Sequence, residues 1–361
     1  MRIVTIICWI VTAVVLVGLA VWFLTGTVFG IGSGEWNTNW FSGFNIRDWE
    51  RLSGPYHEVG AYSHGVSGVD SLNIDWIAGD VTVKPYDGSD LKITEFAQRE
   101  LRENERLYIS TSGGTLTIKY NELRGKSRIP QKKLEVLVPR ALCENLNKLK
   151  ADTVSGAIVI EDAGADTLVT DTMSGSISIS NCTVRTLDMD STSGSLTIVS
   201  VRADSMNLDS MSGAIRISES TAKTLDCDTV SGSISVSGTF DSVIQNSMSG
   251  RLTLDNFASV STVKADSTSG SLELSGSFDR VDTDSVSGSI TIRSTIVPGA
   301  LKADTTSGRI TITIPNEGAV TVDHSSITGG FSSDVPVVMQ KGGAQFKLST
   351  ISGSIRIMEL K

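Results

Sequence analysis

The sequence predicts an all-β fold, a single-stranded β-solenoid of roughly ten coils of 19 residues preceded by an N-terminal transmembrane helix. Three observations predict it. A phrase, Asp-Ser/Thr-x-Ser-Gly-x-Ile/Leu-x-Ile/Leu/Val, recurs with its glycine at Gly156, Gly175, Gly194, Gly213, Gly232, Gly250, Gly270, Gly288 and Gly308, and a last copy lacking the Asp sits at Gly353. Apolar and polar residues alternate on either side of each glycine. Ile3 to Leu24 is an uninterrupted run of apolar and small polar residues. A two-strand unit cannot bury its own apolar face, so like units must stack, and at about 4.8 Å per coil the stack is a rod of roughly 50 Å.

Residues 1–24 form the first element. The apolar run is about 33 Å long as a helix, enough to cross the hydrocarbon core. Arg2 precedes it and no Lys or Arg follows until Arg47, which places the N-terminus in the cytoplasm and the rest outside. The competing reading is a cleaved signal peptide, but its apolar region would be shorter and no Ala-x-Ala site follows. Residues 25–68 read as a linker, glycine-rich and then aromatic with Trp36, Trp40, Phe41, Phe44 and Trp49. Those aromatics suit either the membrane–water interface or a cap on the folded domain. Residues 69–140 read as an irregular β cap on the first coil, with short strands such as Asp80–Val83 and Leu134–Pro139. The charged Gln98–Arg106 and Arg124–Lys133 stretches within it read as solvated connections.

Residues 141–361 are the repeats, ending in an irregular C-terminal cap between Ile314 and Ser349. Two and four residues after each glycine stand apolar side chains such as Ile177 and Ile179, with polar ones such as Ser178 between them. Seven residues before it lies another apolar column, including Leu168, Leu187 and Met206. Each repeat is thus two short strands with one buried face, joined by a Ser-Gly turn whose glycine is expected at positive φ. Phe240, Phe257 and Phe278 are the aromatics of the regular repeats, as suits a narrow layered core.

Four residues before each glycine an acidic column reads Asp152, Asp171, Asp190, Asp209, Asp228, Asn246, Asp266, Asp284 and Asp304, always followed by Ser or Thr. Each Asp is expected to accept hydrogen bonds from the backbone N–H groups of its own turn. Carboxylates about 5 Å apart in water repel by only about 0.8 kcal/mol, so the row needs no metal to persist. Asn246 keeps the hydrogen bonding while losing the charge. No metal and no cofactor are therefore assigned. Were the column to hold divalent cations, Asp171, Asp190, Asp209 and Asp228 would be the ligands.

A net charge of −9 argues against nucleic acid as a partner. Cys8 lies in the apolar run, and Cys143, Cys182 and Cys227 are scattered, so they read as buried small hydrophobes and not as a disulfide framework. His57, His64 and His324 form no ligand-spaced pair, and no nucleophile elbow or phosphate loop occurs. Carboxylates do pair along single strands, as Asp188 with Asp190, Asp226 with Asp228 and Asp282 with Asp284. Polysaccharide-cleaving β-helices use clustered acids, which keeps that enzyme class as an alternative. These pairs are by-products of the acidic column, however, and the reading is of a protein that is not an enzyme.

The opening Asp75–Val83, the Leu134–Pro139 strand ending in Val-Pro, the repeated turns, and the closing Gly308–Pro315 and Ile351–Ile357 together resemble the bacterial "putative adhesin" β-strand-repeat family, a domain of unknown function that includes envelope proteins of the LiaG type. The likeness covers roughly residues 69 to 361 and brings no catalytic residues with it. It implies an adhesin-like binding or scaffolding module, and the apolar run of residues 1–24, outside the likeness, is expected to anchor it outside the cytoplasm by a single membrane span. The partner would be a ligand of the envelope or cell surface, and end-to-end self-association is a further alternative.

Overall fold

The computed structural model describes residues 49–50, 54–121, 129–342 and 345–361, so the expected helix at 1–24 and most of the linker lie outside the described residues. Among the described residues no helix is long and apolar enough to cross a membrane.

The repeats stack as parallel strands in register. Leu168 pairs with Leu149 on one side and Leu187 on the other, and Ile177 with Ile158 and Leu196. Alternation in the sequence sets the faces. Along Thr183–Ser191, Leu187, Met189 and Ser191 are buried while Thr186, Asp188 and Asp190 face outward. The Ile, Leu and Val columns thereby become one continuous core, each fully buried side chain contributing about 1.5–3 kcal/mol.

Coil length varies, and the corner after the second strand absorbs the variation. Asp162, Asn181, Ser200 and Glu219 occupy this corner in consecutive coils, all with φ between 52 and 55°. The next coil omits that residue, so the register shifts between Ile217 and Ser220 while Ile215 still pairs with Ile234. The coil after it is two residues longer, and the one beyond drops two again, shifting the register between Asp255 and Ser259. A one-residue slip carried into a strand would turn its apolar set to solvent, which is why the slack sits in corners.

The turn glycine is required for a different reason from the expected one. In this column only Gly79 and Gly156 have positive φ. Elsewhere a side chain would strike the layer below: a Cβ at Gly175 would lie 1.7 Å from the carbonyl oxygen of Gly156, and one at Gly194 would lie 1.5 Å from that of Gly175. These contacts order the layers as Gly79, Gly156, Gly175, Gly194, Gly213, Gly232, Gly250, Gly270, Gly288, Gly308, Gly353 and Gly329.

That order shows how both ends are built. Gly79 belongs to a regular coil, because Ser71–Ala78 and Val81–Tyr86 pair in parallel register with Leu146–Ser155 and Ile158–Glu161. Thr115–Lys119 and Lys132–Pro139 add one further parallel layer. Antiparallel strands Tyr108–Ser112, Asp90–Ala97 and His57–Gly65 then end the stack, so residues 57–65, read above as linker, form a strand. At the other end the chain doubles back. Phe346–Thr350 and Ile355–Glu359 insert between Ala300–Ile314 and the segment Val320–Ser333, so the last residues of the chain are not the last layer.

The N-terminal cap carries a buried charge where a solvated connection was expected. Lys132 is fully buried; its Nζ donates to Glu95 Oε1 at 2.6 Å and to the carbonyls of Glu105 at 2.7 Å and Tyr120 at 2.5 Å. The ammonium also lies 3.8 Å from the centroid of Tyr120 and 5.0 Å from that of Trp76, whose indole N–H donates to the Lys132 carbonyl. Glu105, within the other charged stretch, is equally sequestered and pairs with Arg99 at 2.8 Å. Burial pushes the Lys132 ammonium down to about 8, against the pull of Glu95. The reason is positional: Lys132 begins the strand that covers Gly79, and a Cβ on that glycine would meet the Lys132 carbonyl at 1.9 Å.

Candidate functional site

Strand alternation puts each Asp and the hydroxyl after it on opposite sides of the sheet, and this decides which one serves the turn. The hydroxyl points inward, and from Ser191 to Ser285 it accepts the turn glycine's N–H, as from Gly194 to Ser191 at 2.8 Å, Gly213 to Ser210 at 2.9 Å and Gly232 to Thr229 at 3.0 Å, whereas Thr153 and Thr172 find no partner for their hydroxyls among the described residues. Several also donate to the glycine carbonyl one layer down, as Thr305 does to Gly288 at 3.2 Å. From Ser174 to Ser287 the Ser before the glycine donates outward of this, as Ser193 does to the Met173 carbonyl at 3.0 Å. The expectation that the Asp accepts the turn N–H groups is thus corrected: the hydroxyl takes the turn and the carboxylates are left facing outward. The turn serines from Ser174 to Ser287 are thus engaged in coil-to-coil bonds.

The acidic column runs in register from Asp75 through Asp152, Asp171, Asp190, Asp209 and Asp228 to Asn246, and on through Asp266 and Asp284 to Asp304. The neighbouring outward column, two residues earlier, divides it into zones. Lys150 pairs with Asp152, and Lys264 with Asp266 at 3.0 Å. Lys302 contacts Asp282 at 2.5 Å, Asp284 at 2.9 Å and Asp304 at 3.6 Å. Between Lys150 and Lys264 that column instead reads Val169, Asp188, Asn207, Asp226 and Ile244, and no lysine intervenes. Partial burial and neighbouring carboxylates, Asp171 first among them, raise Asp190 to about 7. Asp209 is raised to about 6 by burial and then by Asp228. Asn207 and Asn246 donate to Asp188 at 3.0 Å and to Asp228 at 2.6 Å, replacing repulsion by hydrogen bonds.

The four carboxylates singled out as conceivable ligands, Asp171, Asp190, Asp209 and Asp228, therefore lie in one line. A line of parallel side chains does not converge, and among the described residues no three His, Cys, Asp or Glu side chains form a metal-holding group. Asp188/Asp190, Asp226/Asp228 and Asp282/Asp284 do share one outward face, the last pair clamped by Lys302. Cys143, Cys182 and Cys227 are buried and free, and Cys182 Sγ accepts the N–H of Ala163. Sequence reasoning missed the layer at Gly329, whose Ser325-Ser326-Ile327-Thr328-Gly329 has Thr for the usual Ser and no Asp.

Two stretches, 69–243 and 239–359, each match the family described as Toastrack DUF4097. The chain belongs to the Toastrack family. The two matches meet near residue 240, so the domain's repeat pattern spans the solenoid from the first coil to the last. No curated protein matches this Toastrack chain. Among solved structures it is similar to a "putative adhesin" from Parabacteroides distasonis ATCC 8503, with 13% identity, a TM-score of 0.41, and coverage of 84% of this chain and 97% of that one. It is also similar to a "Putative lipid binding protein" from the same organism, with 15% identity, a TM-score of 0.38, and coverage of 85% and 98%. A "putative adhesin" from Bacteroides fragilis NCTC 9343 matches with 12% identity, a TM-score of 0.33, and coverage of 85% and 98%.

Proposed function

We propose that this protein is a single-pass membrane protein whose Toastrack domain stands outside the cytoplasmic membrane as a non-catalytic binding or scaffolding module of the bacterial envelope. One observation carries the binding part. Outward side chains recur in register from layer to layer, so the surface offers the same chemical group again and again at the coil spacing of about 4.8 Å. A partner that is itself repetitive gains from each added contact without a new docking event. The apolar run Ile3 to Leu24 and the absence of Lys or Arg between Arg2 and Arg47 support the anchored orientation.

Fractionation and protection test it. The full-length chain should remain in the membrane pellet after an alkaline wash, and protease added to intact spheroplasts should remove the repeats. Recovery from the medium, or protection from the protease, would overturn the anchored form. Photo-crosslinkers placed at outward positions such as Thr197 should capture envelope material in intact cells, and repeating this with a chelator reads any bridging by divalent ions. Polysaccharide cleavage that disappears in Asp188→Asn/Asp190→Asn would overturn the non-catalytic reading.

A further inference from the structure

One outward position of the repeat is apolar where solvent would favour charge. It is the residue between the inward hydroxyl and the turn Ser, and from Val154 to Ile327 it is Val, Met, Ile or Thr in every coil. Backbone bonds hold these residues in register, as the Ser193 N–H donates to the Met173 carbonyl and the Met211 N–H to the Ser191 carbonyl. Their side chains form a ridge along the stacking direction. Val286, Ile351 and Ile327 stand 44%, 49% and 74% exposed, while Met173, Met211, Val230 and Met248 are half-buried. A contiguous apolar ridge on an otherwise polar surface marks a place of interaction.

The ridge stands two residues after the acidic column, so both lie on the outward face of one sheet. Between Lys150 and Lys264 these two columns and the one before them hold Asp171, Asp188, Asp190, Asp209, Asp226 and Asp228, and no Lys or Arg. The result is a patch about 19 Å long over four coil steps, apolar along the ridge and anionic beside it. Elsewhere in the stack a lysine fills such a face. Lys302 Nζ seats on Asp282 at 2.5 Å and Asp284 at 2.9 Å, two carboxylates of the neighbouring coil. Asp188/Asp190 and Asp226/Asp228 occupy the same two columns, but the next coil sets Asn207 and Ile244 where Lys302 would stand. Each of these pairs therefore presents two carboxylates shaped for an ammonium that this chain does not supply there.

We propose that this patch docks a basic amphipathic helix of a partner protein, laid along the stacking direction, with Lys or Arg on Asp188/Asp190 and Asp226/Asp228 and its apolar face on the ridge from Met173 to Met248. The two acidic pairs are two coils apart, about 9.6 Å, and a helix rises about 10.5 Å in seven residues, so basic residues one heptad apart reach both. The flexible thioether chains of the ridge adapt to an apolar face of varied shape. Charge selects the class of partner. A second copy would set one acidic line against another, and anionic lipid or wall polymer would meet the same repulsion, whereas a basic segment turns it into attraction. This proposal rests on the reading of the domain as a binding module.

The test uses the full-length protein in uncharged detergent micelles and three labelled peptides of about 18 residues. One is an amphipathic helix of Leu and Lys, one has the same composition scrambled so that no face is apolar, and one is the amphipathic helix with Glu for Lys. Binding to protein-free micelles is subtracted. The first peptide should bind saturably, and the other two about tenfold more weakly or not at all. Asp188→Asn/Asp226→Asn should weaken the first about fivefold or more. Glu219→Gln/Asp255→Asn, which removes the same charge at exposed positions off the patch, should leave it within about twofold. Asn relieves like-charge contacts, so the patch variant should melt no lower than the parent. If it does, Met211→Ser/Met248→Ser supplies the reading, with the same loss expected. Failure of the first peptide to bind, equal binding of all three, or equal loss in the patch and control variants would overturn the proposal. A dimer in sedimentation that Met211→Asp dissolves would overturn it too, by seating a second copy on the ridge. Each of these results leaves the binding-module reading standing, because crosslinking at Thr197 reports on the other strand of the coil.

Discussion

At the scale of single residues, the turn glycine and a core glutamine make opposite predictions. Gly213 stacks so closely on Gly194 that an added Cβ would lie 1.7 Å from a backbone carbonyl oxygen, and backbone cannot rotate away as a side chain can. Gly213→Ala should therefore destabilise the domain by about 3 kcal/mol, read as a fall in the denaturation midpoint; a change under about 0.5 kcal/mol would mean that the layers yield. Gln245 is the reverse case. It is fully buried in a column between Cys227 and Ala265, and neither its Oε1 nor its Nε2 finds a hydrogen-bond partner among the described residues. An unpartnered buried amide costs about 1–3 kcal/mol, and Met has nearly the same length and shape without that cost. Gln245→Met should raise stability by about 1–2 kcal/mol in the same assay. A loss would show that the amide is satisfied in solution.

At the scale of elements, the N-terminal cap departs most from what the sequence pattern conveys. Lys132, Glu95, Trp76 and Tyr120 form a buried ionic and aromatic plug over the first coil. Removing one charge leaves the other uncompensated in a dry site. Lys132→Met or Glu95→Gln alone should cost about 3–5 kcal/mol, whereas the double variant should recover much of that loss. Simple additivity of the two single losses, measured by denaturation, would overturn the coupling. The plug was illegible because Lys132 stands in a basic run, and nothing local distinguishes a buried lysine from its solvated neighbours. The coils were legible for the opposite reason: period and alternation repeat so often that register, inward face and corner positions can all be read. Even there, the roles of Asp and Ser/Thr were exchanged, since both residue types cap turns and only the strand's facing tells them apart. The Gly329 layer escaped because the chain doubles back, placing residues late in the sequence beneath earlier ones.

At the scale of the whole molecule, the parallel stack carries an electrostatic cost. In-register pairing aligns like residues, so one acidic position per repeat becomes a line of carboxylates along the rod, eased by Lys150, Lys264 and Lys302 only toward its two ends. In the middle, burial and mutual repulsion raise Asp190 to about 7 and Asp209 to about 6, and Asp152 beside Lys150 is raised to about 6, from an ordinary 3.8. A carboxyl group whose folded pKa is raised binds its proton more tightly folded than unfolded. Its stabilising effect is therefore complete below about pH 4 and is lost as pH rises through about 6 to 7. Glu105 works in the other direction, because Arg99 holds it below the usual carboxylate range and its contribution disappears only in stronger acid. The domain should thus melt at a higher temperature at pH 5.5 than at pH 7.5, with salt narrowing the gap by screening the column. Asp190→Asn should raise the midpoint at pH 7.5 and flatten the profile between pH 5.5 and 7.5, because an amide can donate to Asp171 as Asn246 does to Asp228. Asp241→Asn, at an exposed position outside the acidic column, should do neither. A midpoint that rises steadily from pH 5.5 to 7.5 would show that the line is fully ionised in the folded protein, and that the stack tolerates its charge through solvent alone.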